Sequence, residues 1–566
     1  PPFLDHMKRL NFPFTIATLR DRYCSAAISP VDVVHEVYDR IKEDSRSDIW
    51  ISLRSREDSL AIADQLSAEM IADFPLYGIP FSVKDNIDVF GLSTTAACPA
   101  FSYVPECSAH VVERLELAGA ICIGKTNLDQ FATGLNGTRS PYGECASAFH
   151  PEFVSGGSSS GSAVSVSLQH VCFSLGTDTG GSGRIPAGLN NVVGLKPTCR
   201  SLSSHGLVPC CPSIDCPSVF ALSVADAVEV ASLMFSDDHT DPSLRYDLAQ
   251  CDFSIGERDD RQIIFVPDDK QLEFFENHEA LTIYKEALEL ISESGLDVRP
   301  FDFAPFLEVG QMLFDGPFLA DRYAAIGSFL ETNQDSVLET TYSIVSKANQ
   351  FSAVELFQAM KRIDEVKAFA QQFSRQNGLF VFPTVAPLCT ISELLADPVR
   401  LNNQHGFYSY FANILDLCAM SIPCSFYKNG MPFGLTIMGS AFADSKIITF
   451  QERQPSTPMK VTSVSLSPGG GTINAEGTMG EYGRVYLTYT LTADANGKGG
   501  VVHGEGRGAT KDGTFQSGTG SGSYYRDGTK FIMHVIFRIS DGTQNLDKIV
   551  FDSFSRTMTH DVYIAK

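Results

Sequence analysis

The sequence predicts an α/β fold with a mixed central sheet covered by helices, followed by a small all-β domain, a barrel or a sandwich. Three observations point there. Over residues 1–451, short apolar strand-like runs alternate with segments whose apolar residues recur at helical spacing. Near residue 450 the composition changes, and residues 452–566 hold 18 of the 45 glycines and none of the 14 cysteines. Within the first part, Ser155 to Pro197 gathers two clusters of small residues, Gly156 to Ser162 and Gly176 to Gly183, around an apolar run. A chain of 566 residues exceeds what one core fills, so two units are expected: 1–451, a linker at 452–458 containing PSTP, and 459–566.

Ser29-Pro30-Val-Asp32 reads as a helix start, with a capping serine, a proline in the first turn and an early acid. Val33, Val34, Val37 and Ile41 then form one buried face. A second helical pattern covers about Ala61 to Ala72, and Tyr77 to Val83 is an apolar strand that delivers Lys84 at its end. Val111 to Ala118 is helical and Ala120 to Gly124 a buried strand. Ile263 to Val266 is strand-like, and Glu279 to Glu293 is a helix with Leu281, Tyr284, Leu288 and Ile291 on one face. Leu379 to Pro387 and Met431 to Met438 are read as closing strands of the sheet. Beyond the linker, Lys460–Leu466, Arg484–Thr492, Lys530–Ile539 and Asp547–Phe554 alternate between Gly/Asp/Asn turns. That predicts seven or eight short antiparallel strands.

Composition narrows the function. A formal charge of −24 argues against nucleic acid or an anionic membrane as partner, yet leaves room for a small anionic substrate beside a local arginine. No run of about 18 apolar residues occurs. The cysteines, all between Cys24 and Cys424, fit no paired zinc pattern, and reduced buried thiols in a cytosolic protein are expected. The chain opens on Pro1, which leaves a removed leader open. His503, His534 and His560 lie on separate strand patterns and are read as satisfied or exposed, with no metal expected. Glu505 and Arg507, in HGEGRG, alternate with glycine in a way that would line a barrel interior.

The Gly/Ser clusters carry the chemistry. Glycine lets a backbone turn sharply and aim several N–H groups at one point, and the serines supply nucleophiles among those donors. The apolar residues between the clusters argue against a solvated linker, and no Gly-Lys-Ser/Thr ending supports a phosphate loop. Gly157-Ser-Ser159-Ser-Gly161 matches a nucleophile elbow formally, which would need Ser159 and a histidine. A lysine at the end of an apolar strand either reaches solvent to pair with Asp85 or Asp88, or stays buried and neutral as a base.

GGSSSGSA, then GTDTGGSGRIPA, with Lys84 in the upstream VKDNIDV, resemble the amidase signature family over about residues 15–450. The resemblance implies a Ser–cis-Ser–Lys triad: Ser182 the nucleophile, Ser158 the bridging serine and Lys84 the base. It also implies an oxyanion hole from the N–H groups of Thr179, Gly180 and Gly181. Asp178 and Arg184 flank that loop as support, by charge-assisted bonds. DQFATGLNGTRSPYG, GTDTGGSGR-I-PAG-L-NN-VVGLKPT and Val208 to Leu222 are similar to the allophanate hydrolase branch in particular. In that branch an arginine binds the substrate carboxylate, assisted by a tyrosine eight residues earlier. Arg322 matches the arginine, position 314 is Phe, and Gly134 belongs to the same binding set. The resemblance thus implies hydrolysis of allophanate to ammonia in urea degradation, without a cofactor. Another small amide or ureide, or a partner-dependent amidotransferase-type subunit, stays open, as does a homodimer. Without the family match, Arg322 would read as a surface pair with Asp321 or Asp315.

Overall fold

The computed structural model describes residues 10, 12–254, 259, 261–447, 452–467, 469–479, 483–493, 499–509, 515–527, 529–539 and 544–564. The chain divides into two compact units, Pro1–Ser292 with Leu296–Ile448, and Glu293–Gly295 with Thr449–Lys566.

The first unit is built on an eleven-stranded mixed sheet. In chain order its strands are β1 (Trp50–Leu53), β2 (Pro80–Lys84), β3 (Ile121–Thr126), β4 (Phe173–Asp178), β5 (Val193–Lys196) and β6 (Cys216–Ala221), followed by β7 (Ile263–Pro267), β8 (Asp297–Phe301), β9 (Gly378–Pro383), β10 (Leu417–Phe426) and β11 (Pro432–Ser440). Their order across the sheet is β1-β3-β2-β4-β6-β5-β10-β11-β9-β7-β8. β2 runs parallel to both neighbours, with Val83 beside Lys125 on β3 and Leu175 on β4. Every residue of β2, β3, β4 and β6 is buried, as expected for strands covered on both faces. Side chains at the ends of β2 and β4 therefore meet without solvent between them, and the site forms there.

The capped helix starts where the sequence placed it. Ser29 and Asp32 close a reciprocal capping box on Pro30–Asp44, whose Val33, Val34 and Val37 are buried. The helical pattern at 61–72 is broken in the structure. An α-helix spans Arg56–Asp64, and Ser67 opens a separate 3₁₀ turn, Ala68–Ala72, with no buried residue. The helix His278–Glu293 exists, but its buried face is Ala280, Ile283, Tyr284, Ala287 and Ile291, leaving Leu281 and Leu288 half-buried.

The second unit is a closed antiparallel barrel: β12 (Glu452–Ser467), β13 (Gly470–Met479), β14 (Gly483–Ala493), β15 (Gly499–Ala509), β16 (Phe515–Asp527), β17 (Lys530–Ile539), β18 (Gln544–Asp552) and β19 (Thr557–Ile564). Two sequence expectations change here. Residues 452–458 are not a linker, because they form the first half of β12 and pair with β19, Thr457 opposite His560 and Pro458 opposite Thr559. Proline is tolerated at a position that lacks a regular ladder bond, and the register shifts just before it. Glu505 and Arg507 are exposed, and it is Val502, Gly504 and Gly508 of β15 that are buried. The interior lining comes from the glycines of HGEGRG, not its charges. His503 is exposed and His560 buried, and the side chain of His534 lies outside the described residues. No helix among the described residues is long and apolar enough to cross a membrane.

Candidate active site

Lys84 ends β2 with no exposed surface, and its Nζ donates to Ser158 Oγ at 2.8 Å and to Thr177 Oγ1 at 2.7 Å. Burial disfavours the ammonium and pushes its pKa down to about 8, although Cys210, Asp129, Asp215 and Asp178 work in the other direction. The residue is thus neither at the surface nor ion-paired to Asp85 or Asp88. Asp85 pairs instead with Lys125, at 3.0 Å, and Asp88 accepts from Thr94 and Tyr103.

Ser158 follows a cis peptide bond from Gly157 and precedes the helix Ser160–Ser167. A side chain at 157 has no room, since its Cβ would lie 2.1 Å from Asp129 Oδ2. Asp129 is itself buried. Its carboxylate collects the N–H groups of Asn136, Gly137 and Arg139, and its own N–H donates to Ser158 O at 3.1 Å. Asp129 therefore fixes the Ser158 backbone through its N–H and the loop that carries Gly134 through its carboxylate. Ser159, the elbow candidate, has its hydroxyl bonded to the Thr177 carbonyl at 3.1 Å, across to β4.

Ser182 sits in the loop after β4 and is 3% exposed. Asp178 folds that loop back on itself, accepting from Gly181 N at 2.8 Å and Gly183 N at 3.0 Å. Arg184 grips the same carboxylate through Nε and Nη2, both at 2.9 Å. Burial opposes the Asp178 carboxylate, but the Arg184 charge and hydrogen bonds outweigh it and hold the pKa below the usual range. Gly181 adopts φ +131°, and a Cβ there would meet Ser409 Oγ at 2.4 Å. The Gly181 N–H is thus committed to Asp178 in this conformation, which differs from the oxyanion role read from the sequence. The Thr179 and Gly180 amides remain for that role. Thr179 is anchored through its hydroxyl to Asp215, whose carboxylate also accepts from Cys210 N and Cys211 N. Burial pushes the Asp215 carboxyl up to about 6, against those bonds and the Arg322 charge.

Gly180 connects this loop to the proposed substrate-binding residues. A Cβ on Gly180 would lie 2.7 Å from Leu313, 3.2 Å from Tyr410 and 3.4 Å from Phe314. The Arg322 guanidinium lies 4.5 Å from the Phe314 ring centroid, a cation–π contact. Arg322 has no exposed surface, so it is not a surface ion pair. Asp321 accepts from Ser213 and Asp315 from Lys347. Its Nη1 donates to Thr133 Oγ1 at 3.0 Å and its Nη2 to Cys211 Sγ at 3.9 Å, while Nε has no partner among the described residues. A second buried arginine, Arg139, donates to the Thr133 and Pro398 carbonyls at 2.8 and 2.6 Å. Two guanidiniums thus converge on Thr133, and neither has a carboxylate within ion-pair distance among the described residues. A buried cation left this way favours an anion beside it.

The site brings Lys84, Ser158 and Thr177 together directly, and joins the Ser182 loop to Phe314 and Arg322 through Gly180. Sequence reasoning missed Thr177, Asp129, Asp215, Tyr410, Asn413 and Arg139. Of these, Thr177 lies inside GTDTGGSGR, Asp129 and Arg139 inside DQFATGLNGTRSPYG, and Asp215 inside Val208 to Leu222, where a signal was present. Asn413, which donates to the Asp178 and Ile214 carbonyls, is more than two hundred residues from the loop it holds.

A central mixed sheet carries a buried lysine–serine contact at the ends of its inner strands, and the chain belongs to the amidase family, whose model matches residues 32–448. Urea amidolyase of Saccharomyces cerevisiae is 40% identical over 412 residues, covering 71% of this chain and 22% of that protein. Urea amidolyase of Lachancea kluyveri is 39% identical over 386 residues, covering 67% of this chain and 21% of that protein. Among solved structures, Kluyveromyces lactis allophanate hydrolase superposes with a TM-score of 0.71 at 36% identity, covering 77% of this chain and 71% of that one. The chain thus spans about a fifth of the length of the urea amidolyases it matches.

Arg184→Met leaves the Asp178 carboxylate buried without its partner. We expect the first unit to lose about 3–5 kcal/mol of stability, measured as a lower urea midpoint of its unfolding transition.

Proposed function

We propose that the amidase unit hydrolyses allophanate, releasing ammonia, with Ser182, Ser158 and Lys84 as its catalytic residues. The observation that carries the substrate is Arg322, a buried guanidinium with no carboxylate partner among the described residues, stacked on Phe314, whose ring would lie 3.4 Å from a Cβ on Gly180 of the nucleophile loop. The observation that supports the chemistry is the 2.8 Å contact from Lys84 to Ser158, both fully buried. The substrate carboxylate would sit against Arg322, and its far amide carbonyl would face Ser182.

Neutral Lys84 takes the proton of Ser158, which takes that of Ser182 as Ser182 Oγ attacks the amide carbonyl. The Thr179 and Gly180 N–H groups stabilise the oxyanion, each worth about 3 kcal/mol in such sites. Collapse breaks the C–N bond, and the proton returns through Ser158 to the departing nitrogen, which leaves as ammonia. Water then attacks the acyl-enzyme, gives its proton along the same path and releases an N-carboxylated carbamate that loses carbon dioxide. The fourteen free cysteines fit a reducing compartment such as the cytoplasm.

Phe314 favours a second reading, a different small carboxylated amide. Where the allophanate hydrolase branch offers a tyrosine hydroxyl, this site offers an aromatic face already occupied by Arg322 and packed 4.5 Å from Tyr410.

Ammonia release from allophanate by the purified chain tests the proposal. Ser182→Ala should abolish it and Lys84→Ala should lower it by roughly 10²–10⁴-fold. Release from other small amides alone would keep the triad and discard the substrate, and retention of activity in Ser182→Ala would discard the nucleophile. Lys84 acts as a base only when neutral, so kcat/KM should rise with pH through a limb near 8, dropping about tenfold per unit below it. Phe314→Tyr restores a donor for the carboxylate. Because a hydrogen bond to a charged group is worth about 1.5–3 kcal/mol, KM for allophanate should fall by roughly tenfold or more with kcat little changed.

A further inference from the structure

The barrel interior holds a polar chain that the barrel leaves incompletely bonded. His560 on β19 donates from Nε2 to Asp547 Oδ2 on β18 at 2.7 Å. A carboxylate only accepts, so the ring proton lies on Nε2, and Nδ1 accepts from the Tyr489 hydroxyl on β14 at 3.2 Å. Tyr489, Asp547 and His560 are 0%, 4% and 1% exposed. The other carboxylate oxygen, Asp547 Oδ1, is buried with no partner among the described residues. Leaving such a buried acceptor unmatched is costly, and a donor placed beside it would recover that cost.

The neighbouring strands clear space for that donor. Gly504 and Gly506 of β15 face Gly520 and Gly518 of β16 in register, two cross-strand glycine pairs on the interior side. Glycine weakens a strand, and its use there marks a close approach by something else. At Gly504 that something is the Phe537 ring, which would lie 2.3 Å from a Cβ. At Gly506 it is Leu487, 2.9 Å from a Cβ there, and beside them lies a cavity of about 50 Å³ lined by Gly508, Gly518, Leu487, Phe537 and Ile539 together with Asp547 and His560. That is room for roughly three or four waters, or for a molecule of a few carbons.

We propose that the barrel is a binding module for a small, mostly apolar molecule carrying one hydroxyl, which donates to Asp547 Oδ1 while its carbon skeleton fills the cavity beside Gly508 and Gly518. The Tyr489–His560 chain holds the carboxylate in place and orients its free oxygen. The site is independent of amide hydrolysis, since none of its residues belongs to the first unit.

The test uses the full chain labelled with ¹⁵N-histidine, the His560 signals being assigned by their loss in His560→Gln. Propan-2-ol and acetone share a carbon skeleton and differ in the donor. We expect propan-2-ol to shift the His560 ring nitrogens saturably, and acetone to bind at least about tenfold more weakly, as befits one hydrogen bond to a charged acceptor. In Asp547→Asn, whose amide presents a donor, the preference should shrink or reverse. The wild-type pair decides the matter even where that variant fails to fold. Equal shifts from both compounds would overturn the hydroxyl reading, and absence of a saturable shift from either would show a cavity that holds only water.

Discussion

Withdrawal of Lys84 from water is the constraint on which the first unit depends. An ammonium at the end of an inner strand is tolerable only if hydroxyls receive it and carboxylates stand near without touching it. Ser158 and Thr177 do the first, and Asp129, Asp178 and Asp215 do the second. The outcome is an amine balanced between its charged and neutral forms. Full pairing with an acid would have fixed the charge, and complete isolation would have removed it.

Those three acids share a further task. Each is buried and gathers backbone N–H groups from a loop: Asp129 from 136–139, Asp178 from 181–183, Asp215 from 210–211. The carboxylates act as hubs around which glycine-rich chain is wound, so loops without regular structure acquire a single shape. Asp178 needs a full countercharge in Arg184, while the other two rely mainly on amides and hydroxyls. Rigidity here comes from electrostatics, because the small residues of the loops offer little surface for packing.

What could be read from the sequence follows from how local each feature is. The capping box of Ser29 and Asp32, the strand leading to Lys84 and the clusters around Ser158 and Ser182 are contiguous, and their meaning survives in one dimension. Thr177 escapes notice because, within GTDTGG, nothing marks the hydroxyl that faces across to β2. Arg139 lies inside a legible motif yet shows no role there, since its burial depends on Thr133 and on Pro398. Tyr410 and Asn413 come from beyond residue 400 and matter only once β10 lies beside β5. The barrel's strands were visible as alternation, yet which half of the alternation faced inward was not. Charge beside glycine reads equally well in either direction until closure decides. The PSTP segment misled for a related reason, because proline signals a break locally and the pairing of β12 with β19 overrides it.

That last pairing has a temporal side. The barrel closes only when its first strand meets its eighth, with Glu452 opposite Tyr563. Until β19 emerges, β12 presents an unpaired edge beside a chain that has already made every other hairpin. Seven hairpin pairings can form by short-range search, but the seam spans about a hundred residues and must wait. During synthesis the sheet therefore stays open along one edge until the last of its eight strands has been made.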